Sequence, residues 1–222
     1  MKLLSSAILL LLASTSFAQD HKVYSTTSGE LIFSFADVNA SGSNQGSILR
    51  FSPVFNFQNW VNIDKSDHLG FFTGLSVRNV GFITDESSTV RKKYRTYNLG
   101  LPIGIKIGNL SDRFLFFGYE IELPFHYKEK TFVNEDKTDK INVWFSDRTP
   151  TFTHSLMAGF QLPYGATIKF KYYLTNFFNK SFQADDGSGN ITQPFANADV
   201  NVFYFSLNFG LLKNTGFYYN DK

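Results

Sequence analysis

The sequence predicts an all-β protein, an eight-stranded antiparallel up-and-down transmembrane β-barrel with short periplasmic turns and longer extracellular loops. Three observations predict this fold. The 222 residues are 18% aromatic and only 18% charged. Apolar and polar residues alternate with a period of two in eight segments, which is the pattern of a strand with one apolar and one polar face. Short polar turns alternate with longer connections, as in outer-membrane barrels.

The N-terminus is predicted to be a signal peptide, residues 1–18, rather than part of the fold. A positively charged start precedes an apolar run at 3–13 that is too short to span a bilayer, and Ser16 and Ala18 supply small residues at a cleavage site. An uncleaved N-terminal anchor is the alternative. The remaining residues, 19–222, are predicted to form a single barrel domain outside the cytoplasm.

Composition excludes several classes of function. The chain contains no cysteine, which excludes disulfides, thiolate metal sites and cysteine nucleophiles. The net charge is only +2 and the basic residues are scattered rather than clustered, so no nucleic-acid partner is expected. No cofactor is expected either.

Eight segments carry the alternation, and each is assigned to a strand. The clearest is 114–127, FLFFGYEIELPFHY, where alternate positions are apolar or aromatic and the others hold Gly118, Glu120, Glu122 and His126. The pattern is weakest in the first predicted strand. In addition to 114–127, the predicted strands are 29–38, 48–59, 69–78, 97–107, 152–162, 166–178 and 200–211.

The connections between these strands alternate in length. Short polar turns are predicted at 64–67, 108–112 and 163–166, and long connections at 128–149 and 179–198. The first long connection is expected to continue its two flanking strands beyond the membrane as a hairpin. Its aromatic residues either bind a surface partner or pack on neighbouring loops, and the sequence leaves both interpretations open.

Alternation alone does not reveal which face points inward, because a soluble lipocalin-like barrel has the same pattern with its apolar face inside. Glycine favours the membrane arrangement. A narrow eight-stranded lumen needs small residues between large ones, whereas a solvent-facing strand has no steric need for glycine. The polar face is therefore expected to line the lumen and the apolar face to meet lipid. The glycines on the polar face are Gly70, Gly74, Gly100, Gly104, Gly118, Gly159 and Gly210.

Two further sets of residues give structural expectations. Aromatic residues near predicted strand ends are expected to form an interfacial girdle. They are Trp60, Tyr94, Tyr97, Tyr127 and Tyr164. Prolines inside predicted strands are expected to cause bulges or local breaks in pairing, since a closed barrel has no free edge. They are Pro53, Pro102 and Pro124.

The charged residues of the polar face are predicted to form a lumenal network. A buried carboxylate without a partner is costly, and Lys169 and Lys171 lie two strands away from Glu120 and Glu122. The expected result is a hydrogen-bonded plug rather than an open channel, although isolated groups in lumenal water are the alternative. The candidate residues are Glu120, Glu122, Lys169, Lys171, Arg50, Arg78 and Lys106.

No catalytic or metal site is predicted. His154 and Ser155 are adjacent in a strand and so point to opposite faces, which does not suit a nucleophile and its base. Glu120, Glu122 and His126 share a face by parity, but Glu122 and His126 are separated by about 13 Å along a strand, too far for one ion.

The segments YNLGLPIGIKIGN, FFGYEIELPFHYK and VNVFYFSLNFGLL, together with the predicted signal peptide, give the chain a family resemblance. It resembles the small outer-membrane β-barrel proteins of Bacteroidota, the porin-like outer membrane protein beta-barrel domain family. More distantly, it is similar to the transmembrane domain of OmpA and to OmpX. The resemblance implies a barrel in the outer membrane of a Gram-negative bacterium, in contact with lipopolysaccharide and phospholipid. It indicates the fold and the location and does not address activity.

Four hypotheses about function follow. The first is a structural or surface-interaction barrel with a plugged lumen and no enzymatic activity, contacting a partner through 128–149 or 179–198. The second is a narrow pore for small solutes. The third is a lipid A-modifying barrel enzyme, and the fourth is a soluble periplasmic ligand-binding barrel.

Overall fold

The computed structural model describes residues 22–40, 43–185, 187–211 and 215–217. The predicted signal peptide lies outside the described residues. Within the described ranges, no helix has the length and apolar character needed to cross a membrane. The strands are β1 (Lys22–Ala40), β2 (Ser43–Gln45), β3 (Ser47–Ile48), β4 (Arg50–Ser52), β5 (Phe57–Asp64), β6 (Leu69–Asp85), β7 (Val90–Asn109), β8 (Arg113–Val133), β9 (Asp136–Trp144), β10 (Thr153–Gln161), β11 (Thr167–Tyr173), β12 (Ala184–Asp185), β13 (Ile191–Thr192), β14 (Ala198–Gly210) and β15 (Thr215–Phe217).

Eight of these strands close into an antiparallel ring in the order β1, β5, β6, β7, β8, β10, β11 and β14. β14 returns to β1 through a continuous register from Ser28 opposite Gly210 to Ala40 opposite Ala198, so the first and last ring strands close the barrel. Apart from the closing pair of β14 and β1, neighbouring ring strands follow each other along the chain. The predicted eight-stranded up-and-down barrel is therefore confirmed.

Two positions in the ring are filled by interrupted strands. The second is built from β2, β3, β4 and β5, which leave the sheet between Ser52 and Phe57. The sixth is built from β9 and β10. β9 pairs with the C-terminal part of β8, and β10 pairs with its N-terminal part.

The two ends of the barrel differ. At the turn end, short connections at 65–68, 110–112 and 162–166 join neighbouring strands, which confirms the three predicted short turns. At the loop end, long hairpins protrude, and the longest connection runs from 174 to 197. The hairpin predicted within 128–149 is present as β8 and β9, joined at Asn134 and Glu135.

The apolar side chains of the ring point outward. Ile103, Phe117 and Phe205 are 63%, 47% and 50% exposed, whereas the side chains of Glu120 and Lys171 are fully buried. The predicted orientation of the two faces is therefore confirmed. The outward residues form a continuous apolar belt, which includes Phe51, Phe57, Leu69, Phe71, Leu75, Leu99, Leu101, Ile103, Ile105, Ile107, Leu115, Phe117, Leu156, Ile168, Phe170, Phe205, Leu207 and Phe209.

Lumenal glycines make room for large inward side chains. A Cβ added at Gly104 or Gly118 would meet the ring of Phe72, and one added at Gly159 would meet the ring of Phe116. This is the small-against-large packing expected inside a narrow barrel. Gly210, near the turn end, has open space instead.

Each of the three strand prolines coincides with an irregularity, as predicted. Pro53 lies in the break between β4 and β5. The ladder between β6 and β7 keeps its register, but Pro102 and its neighbour Leu101 are not paired with β6. At Pro124 the register of β7 and β8 shifts by one residue, which inserts a bulge at Phe125.

Two predictions about β8 are wrong because of this bulge. An extra residue reverses the facing of every side chain that follows it. Tyr127, expected in the outer girdle, is buried inside the barrel, where its hydroxyl donates a hydrogen bond to Glu129 Oε2 (2.8 Å). His126 leaves the face of Glu120 and Glu122. Its ring stacks instead between Tyr97 and Trp144, with centroid distances of 5.5 and 4.2 Å.

The predicted girdle was wrong at two further positions, because nearness to a strand end does not determine which face a side chain occupies. Trp60 and Tyr94 have inward parity and are buried. Tyr97 contacts Phe55 and Phe125 at the loop-end edge of the belt, and the side chain of Tyr164 lies outside the described residues. Phe178 ends the predicted strand 166–178 with the same parity as Ile168 and Phe170, so it is expected to face lipid. It is buried instead, stacked on Phe195 in the connection between β11 and β14.

Candidate functional site

The lumen is filled in layers along its axis. Near the turn end, Lys106 pairs with Asp64. Next comes a layer of three aromatic rings with a methionine packed against them, called the aromatic layer and defined as Trp60, Phe72, Phe116 and Met157. Above it lies the lumenal network, defined as Glu30, Arg78, Glu120, Glu122, Lys169 and Lys171. The loop end is closed by an apolar cluster that includes Val80, Phe82, Tyr94, Phe177, Phe178, Val200 and Val202.

Arg78 lies at the centre of the lumenal network. Its Nε donates to Glu30 Oε2 at 2.9 Å, and its Nη1 donates to Glu120 Oε1 at 2.5 Å. Nη1 also lies 3.4 Å from Glu122 Oε1. The one guanidinium therefore joins carboxylates from β1 and β8, strands on different sides of the lumen, which is the multidentate geometry that arginine supplies and lysine does not.

Two lysines from β11 complete the charge balance. Lys169 Nζ lies 2.9 Å from Glu30 Oε1, and Lys171 Nζ donates to Glu120 Oε2 at 2.5 Å. Lys171 also bonds Glu122 Oε1. Three carboxylates thus face three cations, and all six side chains are fully buried.

Neutral groups provide further hydrogen bonds to several of these charges. Gln58 Oε1 accepts from Arg78 Nη2 at 3.0 Å and from Lys169 Nζ at 3.1 Å. Glu122 Oε2 accepts from Tyr173 Oη at 2.8 Å and from Asn98 Nδ2 at 2.6 Å. Buried charges persist in proteins when paired and hydrogen-bonded in this way. The six charges of the network are therefore paired and hydrogen-bonded within the lumen.

The structure brings together five of the seven predicted residues, Arg78, Glu120, Glu122, Lys169 and Lys171, but not the other two. Lys106 belongs to a separate pair, with its Nζ 2.6 Å from Asp64 Oδ1 and 3.0 Å from the hydroxyl of Tyr24. Arg50 points away from the network, because the break after β4 redirects it toward Asn79 on β6. Its Nη1 is 3.2 Å from Asn79 O, and its Nη2 is 2.5 Å from Asn79 Oδ1.

Sequence reasoning missed Glu30, the sixth member. Glu30 precedes the alternating outward residues Leu31, Phe33 and Phe35, so its parity places it on the lumenal face. The signal was present, but 29–38 is the segment with the weakest alternation, since Ile32, Ala36 and Val38 make its inward face apolar too.

The aromatic layer closes the lumen below the network. Trp60 stacks on Phe72 with centroids 4.2 Å apart, and Phe116 meets both rings edge-on at 5.2 and 6.0 Å. Since Phe72 and Phe116 rest on lumenal glycines, the layer is packed against the barrel wall as well as within itself.

The connection from 174 to 197 closes the lumen above the network. Phe178 stacks on Phe195 with centroids 4.2 Å apart, and it meets Tyr94 edge-on at 5.0 Å. Phe82 contacts Phe177 in the same way at 5.2 Å. Within the segment 179–198, which was predicted to contact a partner, Phe195 thus stacks on the buried Phe178 and Phe182 packs beside Phe195.

The site offers no arrangement of a nucleophile with its base around His154. Its Nδ1 contacts the hydroxyl of Tyr119 on the outer surface, whereas Ser155 faces inward and donates to Glu120 O at 3.2 Å. The expected opposite facing of His154 and Ser155 is confirmed. Among the described residues, no three His, Cys, Asp or Glu side chains are grouped to hold a metal ion.

No family model and no curated protein matches this chain. Among solved structures, it is similar to Ail, the attachment invasion locus protein of Yersinia pestis, in complex with the heparin analogue sucrose octasulfate, at 14% identity and a TM-score of 0.41, covering 85% of this chain and 97% of that chain. It is similar to Neisserial surface protein A at 7% identity and a TM-score of 0.39, covering 83% and 97%. It is also similar to the outer membrane protein OprG from Pseudomonas aeruginosa at 11% identity and a TM-score of 0.28, covering 85% and 95%. With TM-scores below 0.5, these similarities do not bear on function.

Proposed function

We propose that this protein is an outer-membrane β-barrel of a Gram-negative bacterium, exported by its N-terminal signal peptide and inserted with the turn end facing the periplasm. The apolar belt supports the proposal. From Leu115 to Phe125 the outward face of β8 covers ten residue steps. This corresponds to about 33 Å along the strand and, at a tilt of about 40°, to about 25 Å along the barrel axis. That height matches the apolar band of membrane barrels.

The protein has a structural or surface-interaction role and no enzymatic activity. The observation that carries this proposal is the closed lumen, in which a balanced charge network lies between an aromatic layer and an apolar cluster. A lumen filled by its own side chains has no path for a solute. Any interaction with a partner then takes place on the outer surface or the loops.

A surface partner would contact the hairpin of β8 and β9 more readily than the segment 179–198. At the base of β9, Trp144 and Phe145 are 62% and 68% exposed. In contrast, Phe182 and Phe195 of the other segment contact each other over the mouth of the barrel.

Single-channel recording in planar bilayers tests the closed lumen. We expect the wild-type protein to show no steady conductance. The double variant Glu120→Gln/Glu122→Gln leaves Arg78, Lys169 and Lys171 facing Glu30 alone, and we expect their repulsion to raise the frequency of leak events. The matched control is Glu135→Gln/Asp139→Asn, which neutralises two exposed acids of the hairpin. Steady conductance of the wild type would favour a narrow pore instead.

A lipid A-modifying enzyme and a soluble periplasmic barrel would each be revealed by a separate measurement. A difference between the lipid A mass profiles of cells with and without the gene would reveal the enzyme. Recovery of the protein in a detergent-free soluble fraction would indicate the soluble barrel. For the proposed membrane protein we expect recovery with membranes and a gel mobility that changes on heating.

A further inference from the structure

A second cluster of charges lies on the outer wall of the barrel, at the loop-end edge of the apolar belt. It lines a cleft of about 320 Å³ that opens at the break in the second ring strand. Pro53 cannot donate to a neighbouring strand, and the chain leaves the sheet between Ser52 and Phe57. Residues 78–82 of β6 therefore have no strand partner on that side within the described part of the chain. Phe51, Val54, Ile83 and Phe132 supply apolar walls to the cleft.

Four cations line this cleft, which we call the basic cleft: Arg50, Lys93, Arg95 and Lys130. Lys93 and Lys130 are directly opposite each other on β7 and β8, and Lys128 is opposite Arg95. Like charges placed opposite each other across two strands destabilise a sheet. Among the residues that the structure describes, none of the four cations forms an ion pair.

Arg50 is the most informative of the four. It is only 8% exposed, and its guanidinium bonds to the neutral Asn79 rather than to a carboxylate. A buried cation without a counter-ion is costly, so an external anion would relieve a cost that the chain itself leaves in place. The repulsion extends beyond the cleft. Burial, followed by the charges of Arg95, Lys137, Lys140 and Lys93, lowers the pKa of Lys130.

The basic cleft adjoins the apolar belt. Phe51, which lines the cleft, is also part of the apolar belt and stacks on Phe33 with centroids 5.0 Å apart. Apolar surface thus runs from the belt into the cleft without interruption. A ligand that contacts both surfaces combines acyl chains with an anionic headgroup.

We propose that the basic cleft binds the phosphate groups of an anionic outer-leaflet lipid whose acyl chains lie on the adjoining apolar belt. Arg50 and Arg95 present planar guanidinium donors for phosphate oxygens, and Lys93 and Lys130 contribute point charges. This inference rests on the proposed membrane location and adds a specific lipid site to it.

Native mass spectrometry of the folded protein in a neutral detergent tests the proposal. The probes are diphosphoryl lipid A, the same lipid with both phosphates removed, and inorganic phosphate. We expect the wild type to retain the diphosphoryl lipid at least about tenfold better than the dephosphorylated one, and Lys93→Gln/Lys130→Gln to lose most of this preference. The matched control is Lys180→Gln, a loop-end lysine that pairs with Asp199 outside the cleft.

Three outcomes would overturn the proposal. They are equal retention of the phosphorylated and dephosphorylated lipids, an equal loss in the Lys180→Gln control, and displacement of the lipid by equimolar inorganic phosphate. The last outcome would identify a site for free phosphate rather than for a lipid. In each case the barrel would still be a detergent-dependent protein. If the proposed membrane location were wrong, the result would be different: the protein would be folded and soluble without detergent.

Discussion

Replacing Arg78 by methionine is expected to lower the free energy of unfolding by about 3–5 kcal/mol, because the change leaves buried charges without their partner. Arg78 bonds Glu30 and Glu120 and also contacts Glu122. Without it, three buried carboxylates would face only Lys169 and Lys171. Urea unfolding in detergent micelles or lipid vesicles measures the effect.

Two further variants make the Arg78 result specific to the network. Arg91→Met removes an exposed arginine that pairs with Asp85 on the neighbouring strand, and we expect a loss below about 1 kcal/mol. Arg78→Met/Glu120→Gln restores equal numbers of carboxylates and cations, so we expect it to recover part of the lost stability. A loss for Arg78→Met no larger than that for Arg91→Met would show that the six charges do not act as one network.

Replacing Ile103 by arginine is expected to destabilise the folded protein in lipid vesicles by about 2–4 kcal/mol, which is the cost of such a residue near the midplane of a membrane barrel. Ile103 lies midway along the outward series from Leu99 to Ile107 on β7. Equilibrium unfolding in vesicles of defined lipid gives the value.

The result for Ile103 separates a membrane barrel from a soluble one. In water, an isoleucine that is 63% exposed tolerates arginine within about 0.5 kcal/mol. The control is Ser88→Arg, which places the same side chain in an exposed loop-end turn beyond the belt. Equal stability of the two variants in vesicles would contradict the proposed lipid-facing role of Ile103.

Much of the fold could be predicted from the sequence because its main determinant is local. A period of two specifies a strand and both of its faces within about ten residues. The lumenal glycines then distinguish inside from outside, since Phe72 and Phe116 need the space above Gly104 and Gly159. The core of the charge network followed from parity and strand order.

The remaining features depend on contacts that alternation does not encode. The bulge at Phe125 exchanges the facing of His126 and Tyr127, although Pro124 marks only its approximate position. Arg50 is redirected by a break whose geometry is set by Asn56, which donates to Ser52 O and accepts from the backbone of Asn79. The burial of Phe178 depends on contacts with Phe195 and Tyr94, far along the chain.

Strand lengths were underestimated for a related reason. β7 begins at Val90 and β8 ends at Val133, well beyond the predicted limits of 97 and 127. Above the belt the outward face becomes polar and carries Lys93, Arg95, Lys128 and Lys130, so the contrast between the two faces disappears while the strands continue. The position along β7 and β8 where the outward face becomes polar is also where the basic cleft begins.

Fluorescence quenching by lipids with brominated acyl chains tests most directly whether the apolar belt faces a bilayer. The chain has no cysteine, so a single cysteine at position 103 or 138 can be labelled without background. In reconstituted vesicles we predict strong quenching of a probe at Ile103, within the belt, and little quenching at Thr138 on the exposed hairpin. Equal and weak quenching at both positions would contradict a membrane-embedded belt.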